Sequence, residues 1–202
     1  MTSVPRLHVV TDDEVVRRPA FLEDVAAIGR AGGDRIAVQL RCRLDGRAYV
    51  DLADTVRTAL APFDTPLLIN DRCDVARVVG AAGIHLPEDG LPPNAARAIL
   101  GPDALIGRSV HSATALTGEH GSLNYLTFGP IWPTASHPER EALGIGGIVE
   151  ATVPVLAIGG VTPERAPDVL GAGAHGVAAI RAIWDAPDPG AAVRAFLLSL
   201  EA

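Results

Sequence analysis

Eight short runs rich in Val, Ile and Leu recur about every 25 residues, and this periodicity constrains the fold more tightly than any other feature of the chain. They occupy residues 7–11, 36–40, 66–70, 83–86, 104–109, 123–128, 153–158 and 176–180. The intervening segments 51–63, 74–83 and 92–101 space their Ala, Val, Leu and Ile by three and four, and several open on Asp or Pro and stop at Gly. Alternating strand and helix predicts a parallel sheet, and near-continuous apolar strands predict cover on both faces. Eight units in 202 residues predict a single-domain (β/α)8 TIM barrel spanning 1–202. The competing arrangement is an open doubly wound sheet. It would want fewer strands and, for a dinucleotide, a GxGxxG turn after the first strand, where this chain has Thr11-Asp12-Asp13.

Charge and cysteines narrow the ligand class. A net charge of −7, with scattered arginines, argues against nucleic acid and anionic membranes as partners. No apolar run reaches the roughly 18 residues of a membrane span, and MTSVPRLHVVTDD enters a strand pattern without a leader, so a cytoplasmic protein is expected. Cys42 and Cys73 fit neither a disulfide framework nor a zinc pattern and read as reduced thiols.

The segment 153–181 proposes a ligand. It reads as strand, Gly159-Gly160 turn, Pro-started helix and a second strand ending at Ile180-Arg181. Glycines leave backbone N–H groups open to an anion, and loops after the last two strands of a (β/α)8 barrel often hold phosphate. Barrel chemistry sits at the C-terminal strand ends, where this chain places Gln39, Arg41 and Arg43, then Asn70, Asp71 and Arg72, then His85, then Ser109 and His111. The longest loop, 129–137, follows strand six and carries Thr134, Ser136 and His137. Together these predict a small-molecule site, and Arg41, Arg43 and Arg181 predict an anionic ligand.

The phrases VQLR, LLINDR, GIHL, IGRSVHS, FGPIWPT, LGIGGI, AIGGVTPER and GAGAHGVAAIRAIW resemble the superfamily of thiamine-phosphate synthases and TenI-like thiazole tautomerases. The resemblance implies a barrel holding a phosphorylated thiazole, with its phosphate on Gly159-Gly160 and on the backbone at Ile180-Arg181, and makes a homodimer plausible. For the synthase branch, it implies that Gln39 and Arg41 hold a pyrimidine substrate, Asn70 and Asp71 meet the pyrimidine and an Mg2+ ion, Ser109 stands near the reacting centre, and Thr134 and Ser136 surround phosphate. Five positions depart from that pattern. Glu-Lys becomes Cys42-Arg43, a lysine becomes His137, the second metal-binding Asp becomes Gly90 with Asp89 one residue early, and a serine becomes Arg181.

These departures, with the HisLeuPro turn and GRSVHS, favour the tautomerase branch as the first expectation. That branch aromatises a thiazole carboxylate phosphate by proton transfer, with no cofactor. The position of its histidine after Phe-Gly is Pro130 here, so His111 and His137 are the expected acid/base groups, with Asp71 and Ser109 assisting and Arg41 on the carboxylate. Synthase chemistry with Mg2+ at Asp71 is the alternative. A non-catalytic thiazole-phosphate binder is the third.

Overall fold

The computed structural model describes residues 3–118, 120–134 and 141–201. Eight parallel strands close into a barrel in sequence order: β1 (Leu7–Val10), β2 (Ile36–Leu40), β3 (Leu67–Asn70), β4 (Gly83–Leu86), β5 (Leu105–Val110), β6 (Tyr125–Phe128), β7 (Val155–Ile158) and β8 (Gly176–Ala179). Closure is direct, since Leu7 sits opposite Ile36 on one side and Val177 on the other. Seven strands fall within one of the apolar runs, and β5 overruns its run, 104–109, by one residue at Val110.

Helices α1 (Phe21–Gly32), α2 (Gly46–Leu60), α3 (Cys73–Val79), α4 (Pro93–Leu100), α5 (Ala113–Leu116), α6 (Ala166–Gly171), α7 (Arg181–Trp184) and α8 (Pro189–Glu201) surround the barrel. The termini follow local chemistry: Asp45 accepts from the Gly46 N–H at the start of α2, Ser112 accepts from the Ala115 N–H in α5, and Gly80 ends α3 in a left-handed conformation. One connection departs from the strict alternation. Among the described residues, the path from β6 to β7 holds only the 3-10 turn Ile145–Gly147. Pro130, Pro133 and Pro154 with four nearby glycines give this stretch little capacity for helix.

Alternation along the strands builds two apolar layers. Leu7, Val9, Ile36, Val38 and Leu40 join the layer between barrel and helices, while Ala37, Leu68, Leu105, Tyr125 and Leu156 fill the barrel interior. Tyr125 fits inside because a Cβ on Gly107 would lie only 2.0 Å from its ring. Trp184 of α7 locks the ring shut, donating its indole N–H to the Val10 carbonyl at 2.8 Å and packing on Phe21 of α1.

Candidate active site

The strand C-termini surround a cavity of about 800 Å3, large enough for a small organic ligand. Its lining divides by strand. Gln39, Arg41, Asn70, Asp71, His85, Glu88 and Asp89 come from β2 to β4 and their loops, while Gly159, Gly160, Arg165, Ile180 and Arg181 come from the far side after β7 and β8. Ser109, His111, Thr127 and Thr134 stand between them.

The interior wall is a chain of polar contacts. Tyr125 Oη lies 3.1 Å from His85 Nδ1, His85 Nε2 lies 2.8 Å from Ser109 Oγ, and Ser109 Oγ lies 3.2 Å from Thr127 Oγ1. Among the described residues, His85 is the only hydrogen-bond partner of the buried Tyr125 hydroxyl. Tyr125 therefore donates to Nδ1, which leaves the Nε2–H to donate to Ser109. Burial, aided by the Arg41 charge, lowers the His85 pKa to about 3 and keeps the ring neutral at physiological pH. Ser109 is thus held as a hydrogen-bonding group, and His85 has no lone pair with which to act as its base.

Beside this wall, Gln39 Nε2 donates to Asn70 Oδ1 at 3.0 Å. Tyr49 of α2 braces the β2 and β3 ends by donating to the Leu40 carbonyl at 2.9 Å. The next residue, Asp71, takes φ = 63°, a left-handed conformation uncommon outside glycine, and its N–H is tied to the His85 carbonyl at 2.9 Å. In the Pro87–Gly90 turn, closed by the Gly90 N–H on the Pro87 carbonyl, Glu88 and Asp89 both reach the cavity lining although Gly90 replaces the expected Asp. Asp71, Glu88 and Asp89 thus put carboxylates on one side of the lining, while among the described residues no group of three or more His, Cys, Asp and Glu side chains is gathered as a metal cluster.

His111 donates from Nδ1 to the Gly129 carbonyl at 2.6 Å, a tie that orients the ring against the β6 loop and turns Nε2 away from that contact. Three expectations change. Arg43 does not line the cavity: its side chain is 92% exposed and pairs with Asp13, because it lies three residues beyond the end of β2, where the strand alternation that would group it with Arg41 no longer sets direction. Arg181 does line it, but its guanidinium is held by Asp12 and Glu14 at 2.8 Å each, so its charge serves the β1 loop. A Cβ on Gly160 would lie 2.7 Å from Trp132 Cβ, and one on Gly159 would lie 2.6 Å from Pro130 Cβ. Contact with the β6 loop, with φ of 94° at Gly159 and 68° at Gly160, therefore requires these glycines before any ligand is considered. Ser136 and His137 lie outside the described residues.

Sequence reasoning passed over Thr127, Glu88 and Arg165 as cavity residues and gave no role to His85. Thr127 and His85 were within reach, since each stands two residues from another inward position on its strand. Arg165 gave no such signal because it sits in a turn.

The sequence profile described as thiamine monophosphate synthase matches residues 7–183. A thiamine-phosphate synthase of Salinispora tropica is 40% identical, covering 99% of each chain, and one of Azorhizobium caulinodans is 41% identical over 96% of this chain and 94% of its own. Among solved structures, the thiamine phosphate pyrophosphorylase of Pyrococcus furiosus superposes with a TM-score of 0.81 at 30% identity, covering 97% of this chain and 95% of its own. The 3-hexulose-6-phosphate synthase structure, at 18% identity and TM-score 0.71, shares the fold. The two sequence relatives both carry the name thiamine-phosphate synthase, and they favour the alternative over the tautomerase placed first.

Proposed function

The chain belongs to the thiamine monophosphate synthase family, and from that premise we propose that it joins a hydroxymethylpyrimidine pyrophosphate to a thiazole phosphate, releasing pyrophosphate. The methylene C–O bond breaks with its electron pair leaving on pyrophosphate, and the thiazole nitrogen lone pair forms the new C–N bond. No proton is removed in that exchange. A site without a strong base therefore suits it, as do a neutral His85 and a Ser109 held as a hydrogen-bonding group.

The observation that carries the reading is the two-sided mouth. Arg41, Asp71 and Asp89 gather on the β2 to β4 side, while the glycine bend and the Ile180 backbone occupy the β7 to β8 side. Two phosphorylated substrates need two such regions with their reacting ends between them. Asp71 and Asp89 would hold Mg2+, which when bound neutralises charge on the leaving pyrophosphate. Gln39 and Asn70 orient the pyrimidine, and Ser109 hydrogen-bonds near the reacting carbon.

The test is incubation with both substrates, with and without Mg2+, followed by quantification of thiamine phosphate and pyrophosphate. Equimolar, Mg2+-dependent products support the synthase. Metal-independent aromatisation of a thiazole tautomer, with no pyrophosphate, would restore the tautomerase.

A further inference from the structure

Resting on the synthase reading, we propose that Arg165 is a charged clamp on the thiazole-side phosphate, held in position by Trp132. Arg165 ends the 3-10 turn Pro163–Arg165, just beyond the glycine bend. It returns to that bend: Nη1 donates to the Gly160 carbonyl at 2.7 Å, and the guanidinium lies over the Trp132 ring, 4.8 Å from its centroid. Both contacts fix the plane of the group at the wall of the cavity, which Arg165 lines together with Gly159 and Gly160.

Charge accounting leaves two rim arginines without a carboxylate among the described residues, Arg41 on the β2 side and Arg165 beside the glycine bend. Arg181 is taken by Asp12 and Glu14, Arg43 by Asp13, and Arg72 by Asp45 and Asp74. Among the described residues no carboxylate pairs with Arg165, and the adjacent Glu164 is engaged by the Thr162 hydroxyl. One N–H of a five-donor guanidinium is used on Gly160. The remaining face can meet a phosphate at the glycine bend, where backbone amides alone carry no net charge. Arg165 would then make the site select a phosphorylated thiazole over the same ring bearing a free alcohol. Arg181, which sequence alone nominates for this task, is replaced in it by an arginine from the next loop.

Calorimetric titration of wild type, Arg165→Met, Arg165→Lys and Trp132→Ala with inorganic phosphate, thiazole phosphate and the unphosphorylated thiazole alcohol tests the assignment. Arg165→Met is expected to weaken both phosphate-bearing probes about tenfold or more and leave the alcohol unchanged. The KM for thiazole phosphate rises with it while that for the pyrimidine pyrophosphate stays put. Arg165→Lys recovers part of the loss, and Trp132→Ala reproduces part of it. Equal weakening of alcohol and phosphate, or no weakening of either, overturns the clamp. If wild type makes no thiamine phosphate yet loses inorganic phosphate binding on Arg165→Met, the synthase reading fails and the anion clamp stands.

Discussion

His85 Nε2 lies 2.8 Å from Ser109 Oγ, and the Tyr125 hydroxyl on the opposite ring nitrogen sets the direction of that hydrogen bond. A serine that receives a proton donor from its histidine is a hydrogen-bonding group rather than a nucleophile. This polarity suits the alkylation of a thiazole nitrogen, where charge moves and no proton has to leave.

Ser109→Ala should therefore lower kcat by about tenfold or more, with little change in KM, because one hydrogen bond near the reacting carbon is lost. Tyr125→Phe should cost on the order of 1 kcal/mol of stability and lower kcat as well, since the imidazole is then free to change tautomer. Steady-state kinetics with denaturant unfolding checks both. Normal turnover in both variants would remove the chain from the mechanism.

Stability should fall in acid through two interior imidazoles. Burial lowers the pKa of His8, as of His85, from 6.5 to about 3. Between those values the unfolded chain binds protons that the native one refuses, so stability is full above pH 6.5 and declines as pH drops toward 3. The loss is on the order of a few kcal/mol, less than additive because the two rings interact. Both ring nitrogens of His8 find no partner among the described residues. His8→Leu should thus flatten the acid slope without loss of stability at pH 7, as read from denaturant midpoints at pH 7.5 and 5.

Asp71→Asn should raise the Mg2+ concentration for half-maximal turnover about tenfold or more, because a carboxylate is lost from a site with few. Asp89→Asn should do the same. Arg43→Ala, in contrast, should alter activity less than twofold, given its exposure and its pairing with Asp13. A large effect at Arg43 would restore it to the substrate.

Gly160→Ala should destabilise the fold by about 1–3 kcal/mol as well as weaken phosphate binding, because φ = 68° and the Trp132 backbone region both resist a side chain. Thermal melting beside phosphate titration separates the two effects.

The barrel was legible because it rests on repetition: each apolar run from Leu7 to Ala179 needs burial on both sides, whatever its neighbours. The site was legible where a residue lies on a strand or one step beyond it, as with Gln39, Asn70 and Ser109. It was not legible where pairing decides the outcome. Whether Arg43 or Arg181 spends its charge on the ligand depends on Asp12, Asp13 and Glu14, which only the folded β1 loop brings near. The same holds for Asp89, which a turn delivers to the mouth despite its shifted position.

The most direct test is a crystal structure with thiazole phosphate and a non-reacting pyrimidine pyrophosphate analogue bound together with Mg2+. The account predicts the monophosphate at Gly159, Gly160 and Arg165, the pyrophosphate beside Arg41, Asp71 and Asp89, and the two rings meeting at Ser109. Both anions on one side of the mouth, or a thiazole phosphate remote from the glycine bend, would contradict it.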